Sequence, residues 1–243
     1  MLFDKKYDLI FSIGQACSCT KMLRKFKLQF YSYPCDWIFG STIIDRVKIL
    51  TNEYKDFLNF EDIQVTSDSN NIATNLCAAC INTRTQIRFT HDFPYGQPAE
   101  ETYPKIKEKY DRRIKRQLNQ IEKSERVLVV YLQMPNNDEY IDDEILIEAH
   151  SMLEKRFSKQ EITFLYISCE HGKKDYELKE VSKNVIRTSF DYDAYLSEAP
   201  NMVSEINMEK LFCKIKISRK FLTPKNYWRR FFYLLKCFYK GKL

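Results

Sequence analysis

The chain has 243 residues, of which 44% are hydrophobic and 30% are charged. This composition excludes an intrinsically disordered chain and suits one large or two small globular domains. No apolar run reaches the roughly 18 residues of a membrane-spanning helix, and the first residues lack a signal-peptide core. Only five glycines are present, without a GxGxxG or Walker pattern. We therefore expect a cytoplasmic protein that lacks the usual nucleotide-binding loops.

The net charge of +6 is unevenly distributed along the chain. Eleven of the 39 Lys and Arg residues lie in 210–243, a segment without Asp or Glu, which leaves 28 basic and 33 acidic residues before it. The preceding 209 residues therefore have a net charge of −5. We divide the chain into an α/β domain over residues 1–209, which carries the candidate site, and a basic aromatic tail over residues 210–243.

Alternating strand and helix patterns follow the start of the chain. Strands are predicted over 7–13, 86–89, 126–132, 162–168 and 184–190, and helices over 20–28, 41–58, 106–121 and 142–157. Pro34 makes 32–37 a loop, and the polar stretch 61–85 is expected to be a long excursion. This alternation predicts a single α/β domain with a mostly parallel open sheet flanked by helices, followed by a basic amphipathic C-terminal helix.

Cys17 is the candidate nucleophile. It follows a buried strand and Gly14, near the predicted start of a helix, and catalytic groups of open α/β sheets gather at the carboxyl ends of strands. A helix N-terminus favours the thiolate and offers N–H groups to an oxyanion. Cys19 is a weaker candidate, and a small core residue at a tight turn is the alternative role for Cys17.

His91 is the candidate base, because His150 lies inside a predicted helix and His171 lies in a polar turn. A carboxylate must orient the imidazole, and Asp92 and Asp36 are both candidates. A structural histidine that bonds to a loop carbonyl is the alternative role for His91.

Three arginines, Arg112, Arg113 and Arg116, crowd one helical stretch and need acidic partners. The partners are internal carboxylates (Asp36, Asp92 or Asp111) or an anionic substrate, for which these arginines and Trp37 are the candidate binding residues.

The eight cysteines do not form a disulfide scaffold in our interpretation, since no signal peptide is recognised and the chain is long. Cys77 and Cys80 form a lone CxxC, and a zinc site would need Cys17 and Cys19 to join them. We expect reduced thiols, no metal and no cofactor.

These motifs resemble a bacterial family called "putative papain-like cysteine peptidases". Its pattern of S-L-G-x-x-C, L-R, P-F-D-W, H-D-F and R-R-I-x-R is similar to Ser12–Cys17, Leu23–Arg24, Pro34–Trp37, His91–Phe93 and Arg112–Arg116. The likeness covers about residues 7–135 and departs at Cys35, where Phe is usual. It implies a thiol hydrolase or acyltransferase that uses Cys17 and His91. A non-catalytic binding or accessory protein, in which both residues are structural, is the alternative.

The tail mixes large aromatic residues with Lys and Arg over 227–240. This composition is typical of an amphipathic helix that lies on an anionic membrane surface, here the inner face of the membrane. Two alternatives stay open, namely a terminal helix packed on the domain and a nucleic-acid-binding segment. We favour the membrane over nucleic acid as the partner of residues 224–243.

Overall fold

The central sheet is built from the apolar runs of the sequence. A computed structural model describes residues 2–65, 77–135, 139–192 and 202–242. It places the sheet strands in the order β2–β7–β8–β10–β9, all parallel except the antiparallel edge strand β9. Their bounds are β2 Leu9–Ser12, β7 Arg126–Leu132, β8 Glu161–Cys169, β9 Lys179–Ser182 and β10 Val185–Phe190. The prediction of a mixed α/β fold with a mostly parallel sheet is confirmed.

Helices cover both faces of this sheet, because alternate residues of its buried strands point to opposite sides. Ile10, Leu128 and Val130 join one apolar cluster with residues of α1 and α5, while Phe11 and Val129 join another with residues of α2, α3 and α4. The helices are α1 Cys17–Lys25, α2 Ile43–Thr51, α3 Ala99–Lys123, α4 Asp143–Arg156, α5 Met202–Lys214 and α6 Pro224–Tyr239. Helix α1 begins three residues before its predicted start, and α2 ends seven residues before its predicted end.

A second, antiparallel sheet was not expected from the sequence. Its strand order is β3–β6–β5–β4, and the strands are β3 Ile38–Gly40, β4 Ile63–Val65, β5 Cys77–Asn82 and β6 Ile87–Pro94. The expectation of a polar excursion over 61–85 is therefore wrong where β4 and β5 form, and residues 66–76 lie outside the described residues. The predicted loop at 32–37 contains a 3₁₀ helix, Pro34–Trp37.

The two ends of the described chain meet. Strand β1 (Lys6–Tyr7) pairs in parallel with β11 (Lys216–Ile217). The division proposed between residues 209 and 210 falls inside α5. A disulfide joins Cys213 of α5 to Cys237 of α6, so the expectation that all eight cysteines are reduced is wrong for this pair. None of the helices described here combines the length and the hydropathy that crossing a bilayer requires.

Candidate active site

The turn between β2 and α1 holds Cys17 at the carboxyl edge of the central sheet. Backbone pairing with β7 continues beyond the end of β2, where Gln15 N donates to Leu132 O at 3.2 Å. Cys17 is the first residue of α1, which has no side-chain cap at Ala16 and no acidic residue in its first turn. Among residues 9–20, Cys17 alone is not fully buried. The half-buried thiol therefore lies at the N-terminus of α1, where the first backbone N–H groups have no partner within the helix.

Gly14 explains how the turn packs so tightly. A Cβ atom at this position would lie 2.4 Å from Cys19 Cβ and 3.1 Å from Leu132 N, so only glycine fits. Cys19 is fully buried beneath the turn, and this burial raises the pKa of its thiol to about 12. Cys19 stays protonated at neutral pH, which leaves Cys17 as the accessible thiol of this pair.

Arg46 of α2, which the sequence analysis missed, donates hydrogen bonds to backbone carbonyls of the turn before Cys17. Its side chain is fully buried, and its guanidinium donates to Gly14 O at 2.5 Å, to Gln15 O at 3.0 Å and to Gly40 O at 2.7 Å. No carboxylate forms an ion pair with it among the described residues. One buried cation thus holds two consecutive carbonyls of the turn and the carbonyl at the end of β3. The sequence did offer a signal for this burial, because Arg46 lies at the same helical spacing as the apolar residues Ile43 and Val47.

Asp36 is fully buried in the 3₁₀ helix, and its partners lie in α1 and in the segment that follows α1. It accepts hydrogen bonds from Thr20 Oγ1 at 2.9 Å, from Gln29 Nε2 at 2.8 Å and from Tyr33 N at 2.9 Å, and it pairs with Arg24 at 3.4 Å. Burial raises the pKa of this carboxyl, while these donors lower it. Asp36 therefore anchors α1, and its hydrogen bonds do not include His91.

His91 lies within β6 and is exposed. Its ring meets Trp37 edge-on, with the ring centroids 6.1 Å apart, and Arg24 of α1 stacks over the same Trp37 at 5.5 Å. Desolvation lowers the pKa of His91, and the charge of Lys21, one turn after Cys17 in α1, lowers it further. The structure thus brings His91, Trp37 and α1 into one neighbourhood. No hydrogen bond joins His91 to Cys17 in the part of the chain that is described.

Asp92 is held by α3. Tyr110 OH donates to its Oδ2 at 2.6 Å, and Lys109 pairs with its Oδ1. The carboxylate makes no hydrogen bond to His91 within the described chain, although its charge raises the pKa of that histidine. Both candidate carboxylates are therefore engaged by other side chains.

The three arginines of α3 have different surroundings. Arg113 stacks over Tyr110, and Arg116 stacks over Tyr31 and donates to Ser32 O at 3.3 Å. Arg112 is exposed and lines a surface pocket of about 520 Å³ together with Asp92. No carboxylate forms an ion pair with any of the three among the described residues, so the internal acidic partners considered above are not found there.

A second group of reactive side chains lies at the same sheet edge and was missed by the sequence analysis. Cys169 ends β8, His171 follows it, and Asp191 follows β10. Cys169 Sγ lies 3.9 Å from His171 Nδ1, and Asp191 Oδ1 lies 3.3 Å from the same nitrogen. Because the thiol and the carboxylate share one ring nitrogen, this is not the relay of a catalytic triad, in which they use opposite nitrogens. The available signal was the sequence of two predicted strands. Strands that pair in parallel bring their carboxyl ends together, and with them the residues that follow each strand.

Helix α6 has two distinct faces. Its inner face carries Arg230, which is buried and donates to Phe26 O at 2.5 Å and to Ile215 O at 2.8 Å. Its outer face exposes a row of large apolar side chains, which we name the aromatic face of α6: Trp228, Phe231, Phe232, Leu235, Phe238 and Tyr239. The helix is therefore packed on the domain and still leaves an apolar surface uncovered.

Comparison with known proteins places this geometry in a family. An uncharacterized protein of Acanthamoeba polyphaga mimivirus is 27% identical over 120 residues, which cover 44% of this chain and 54% of that protein. The chain thus spans about half the length of this curated relative, and a viral relative does not support the bacterial origin expected above. A comparison with the solved structures found no match. The model of the family described as "Putative papain-like cysteine peptidase (DUF1796)" matches residues 8–172, and the chain belongs to this family.

Proposed function

We propose that the protein is a thiol hydrolase or acyltransferase of the cysteine peptidase type, with Cys17 as its nucleophile. The observation that carries this proposal is that Cys17, at the first position of α1, is the one half-buried residue within the otherwise buried run 9–20. A thiolate at a helix N-terminus is stabilised by the N–H groups and the helix dipole. The family description points to the same chemistry.

In the proposed reaction, the sulfur of Cys17 attacks the carbonyl carbon of an acyl or peptide substrate. His91 takes the thiol proton and gives it to the leaving amine or alcohol as the bond to that group breaks. Water or an acceptor nucleophile then cleaves the thioester and restores the thiol. The N–H groups of the first turn of α1 stabilise the oxyanion, in the role that such groups play in acyl transfer.

The other candidate residues have supporting roles in this proposal. Asp36 acts as a positioning residue, because it holds Arg24, which stacks on Trp37, and Trp37 contacts His91. Asp92 acts on His91 through its charge. Arg112, which lines the pocket beside Asp92, is the most accessible of the three arginines for an anionic substrate group, with Trp37 as an apolar contact.

The test compares the three half-buried free thiols Cys17, Cys77 and Cys169. Each is labelled with iodoacetamide at neutral pH and read by mass spectrometry, and p-nitrophenyl acetate serves as a probe of acyl transfer. We expect Cys17 to react at least tenfold faster than Cys77, and Cys17→Ser to remove an acyl-enzyme burst that Cys77→Ser retains. Equal labelling rates, or a burst unaffected by Cys17→Ser, would favour the alternative of a binding or accessory protein.

We further propose that the aromatic face of α6 lies on an anionic membrane surface. This face exposes four large aromatic side chains to solvent: Trp228 (51%), Phe232 (61%), Phe238 (65%) and Tyr239 (83%). An apolar patch of this kind marks a surface that another molecule or a membrane covers. Lys225, Arg229 and Lys236 are exposed on the same helix, which has no acidic residue, and Lys240 is exposed directly after its end. Aromatic residues flanked by basic ones suit an interface with anionic lipid.

Cosedimentation with phosphatidylcholine vesicles, with and without phosphatidylserine, tests this second proposal at physiological salt. The triple variant Trp228→Ser/Phe232→Ser/Phe238→Ser should lose binding to the anionic vesicles. Tyr140→Ser is the matched control, because Tyr140 is 81% exposed but lies outside α6. Binding of the unaltered chain to RNA in place of vesicles, or to neither, would overturn the proposal.

A further inference from the structure

Cys169, His171 and Asp191 form the one group of three or more possible metal ligands found among the described residues. Their ligand atoms all lie within 4.8 Å of one another. The three side chains come from the carboxyl ends of the adjacent parallel strands β8 and β10, which pair from Val185 with Phe164 to Phe190 with Cys169. We propose that this group binds a Zn²⁺ ion, at a site separate from Cys17.

The distances suit a tetrahedral ion. With a Zn–S bond of about 2.3 Å and Zn–N and Zn–O bonds of about 2.0–2.2 Å, tetrahedral ligand atoms lie about 3.4–3.6 Å apart. Cys169 Sγ and His171 Nδ1 are 3.9 Å apart, and His171 Nδ1 and Asp191 Oδ1 are 3.3 Å apart. The third separation, from Cys169 Sγ to Asp191 Oδ1, is at most 4.8 Å, and the half-buried Cys169 and the exposed His171 can move to bring the three ligand atoms around one ion.

The surroundings fix one of the three ligands. Gly172 N donates to Asp191 Oδ2 at 3.0 Å, which leaves Oδ1, the oxygen 3.3 Å from His171 Nδ1, as the ligand atom. An outer hydrogen bond of this kind orients a metal ligand and tunes its affinity. Cys169 donates its thiol proton to Tyr192 O at 3.4 Å in the metal-free chain, and zinc binding releases that proton. The third ligand, His171, has a side chain that is 74% exposed and can rotate toward an ion.

The set of donors selects the kind of metal. One thiolate, one carboxylate and one neutral imidazole together carry a charge of −2, which balances a divalent cation. A thiolate and an imidazole suit Zn²⁺, whereas Mg²⁺ and Ca²⁺ prefer sites made of oxygen atoms. Three protein ligands leave a fourth position for water, the arrangement that distinguishes catalytic zinc sites from closed structural ones.

The test uses the full chain, stripped with a chelator, and titrates it with Co²⁺ and Zn²⁺ alone. Co²⁺ bound to a thiolate gives a sulfur-to-metal charge-transfer band, and Zn²⁺ should displace it with a stoichiometry of one ion per chain. Cys169→Ser should abolish the band. His171→Ala and Asp191→Asn should weaken Zn²⁺ binding by more than the 10–100-fold typical of the loss of an outer hydrogen bond.

Matched variants keep this proposal falsifiable. Cys77→Ser and His91→Ala remove a comparable thiol and a comparable imidazole elsewhere, and both should leave the cobalt band and the zinc affinity unchanged. A band that survives in Cys169→Ser, a band lost in Cys77→Ser, or a wild-type chain that binds no Co²⁺ would each overturn it. The circular dichroism spectrum of every variant shows whether a lost band reflects loss of folding instead.

Discussion

Two cysteines end up at the same edge of the central sheet in contrasting surroundings. Cys17, after β2, lies over a packed base made of Gly14, Cys19 and Arg46, and its sulfur makes no hydrogen bond among the described residues. Cys169, at the end of β8, has its partners beside it, with a histidine two residues later and an aspartate from the next strand.

The difference suits the two kinds of chemistry proposed above. A metal ligand needs other ligands close by, whereas a thiol proposed as a nucleophile must be reachable by substrate and by a base. The Cys169 group has its possible ligands within 4.8 Å of one another, and Cys17 is half-buried at the first position of α1.

Arg46→Ala should have the largest effect. It leaves the carbonyls of Gly14, Gln15 and Gly40 without their donor in a buried site, where each unpaired group costs about 1–3 kcal/mol. We expect a loss of about 4 kcal/mol in the free energy of unfolding, measured by urea denaturation. Lys48→Ala, on the exposed side of the same helix, should change it by under about 0.5 kcal/mol. Similar losses for both variants would contradict the role of Arg46.

Gly14→Ala should have an intermediate effect. The added methyl overlaps Cys19 Cβ at 2.4 Å, and overpacking of this kind costs about 1–3 kcal/mol. A double-mutant cycle with Cys19→Gly separates this contact from other causes, because the second change removes the overlapping atom. The two changes should offset each other by at least 0.5 kcal/mol or so. Strictly additive free energies would show that the close approach is not the cause.

His91→Ala should have the smallest effect on stability and a clear effect on reactivity. Desolvation lowers the pKa of His91 below its ordinary value of 6.5, so the ring stays neutral, and able to accept a proton, somewhat below that pH. Alkylation of Cys17 assisted by His91 should therefore persist at pH 6.5 and decline as the pH falls through the lowered pKa.

The measurement is the rate of Cys17 alkylation between pH 5 and 9, followed by mass spectrometry. In His91→Ala the rate should fall below that of wild type, with the largest difference near pH 6–7, where the neutral ring of His91 assists in the wild type. Superimposable profiles for the two proteins would remove His91 from the proposed mechanism. Cys77, labelled in the same samples, is the internal reference.

The buried parallel strands were predictable because their sequences are almost wholly apolar. The predicted and observed bounds of β7 agree, and those of β8 and β10 agree within one residue. The strand predicted over 86–89 is confirmed within β6, but the antiparallel sheet was missed because its pairing is non-local and its other strands are short or polar. Strand β3 has three residues and β5 contains Asn82, so neither shows a clear period of two.

The candidate site was predictable only in part. A strand, a glycine and a helix start locate Cys17 from local pattern, and the structure agrees with that setting. The hydrogen-bond partners of Asp36 and Arg46 could not be predicted, because they come from segments that meet only in the folded chain. The Cys169 group was missed because His171 lies in a polar turn, while Asp191 reaches it across the sheet, 20 residues later in the chain.

The pairing of β1 with β11 has a consequence for the order of folding. Lys6 has no strand partner until Lys216 is available, so the contact joins nearly opposite ends of the described chain. Contacts of such sequence separation slow folding, because the loop between them must be closed before the contact stabilises anything. During synthesis, β1 therefore stays without its β11 partner until residues 216–217 have been made, although residues 9–12, which follow it, can already pair with β7.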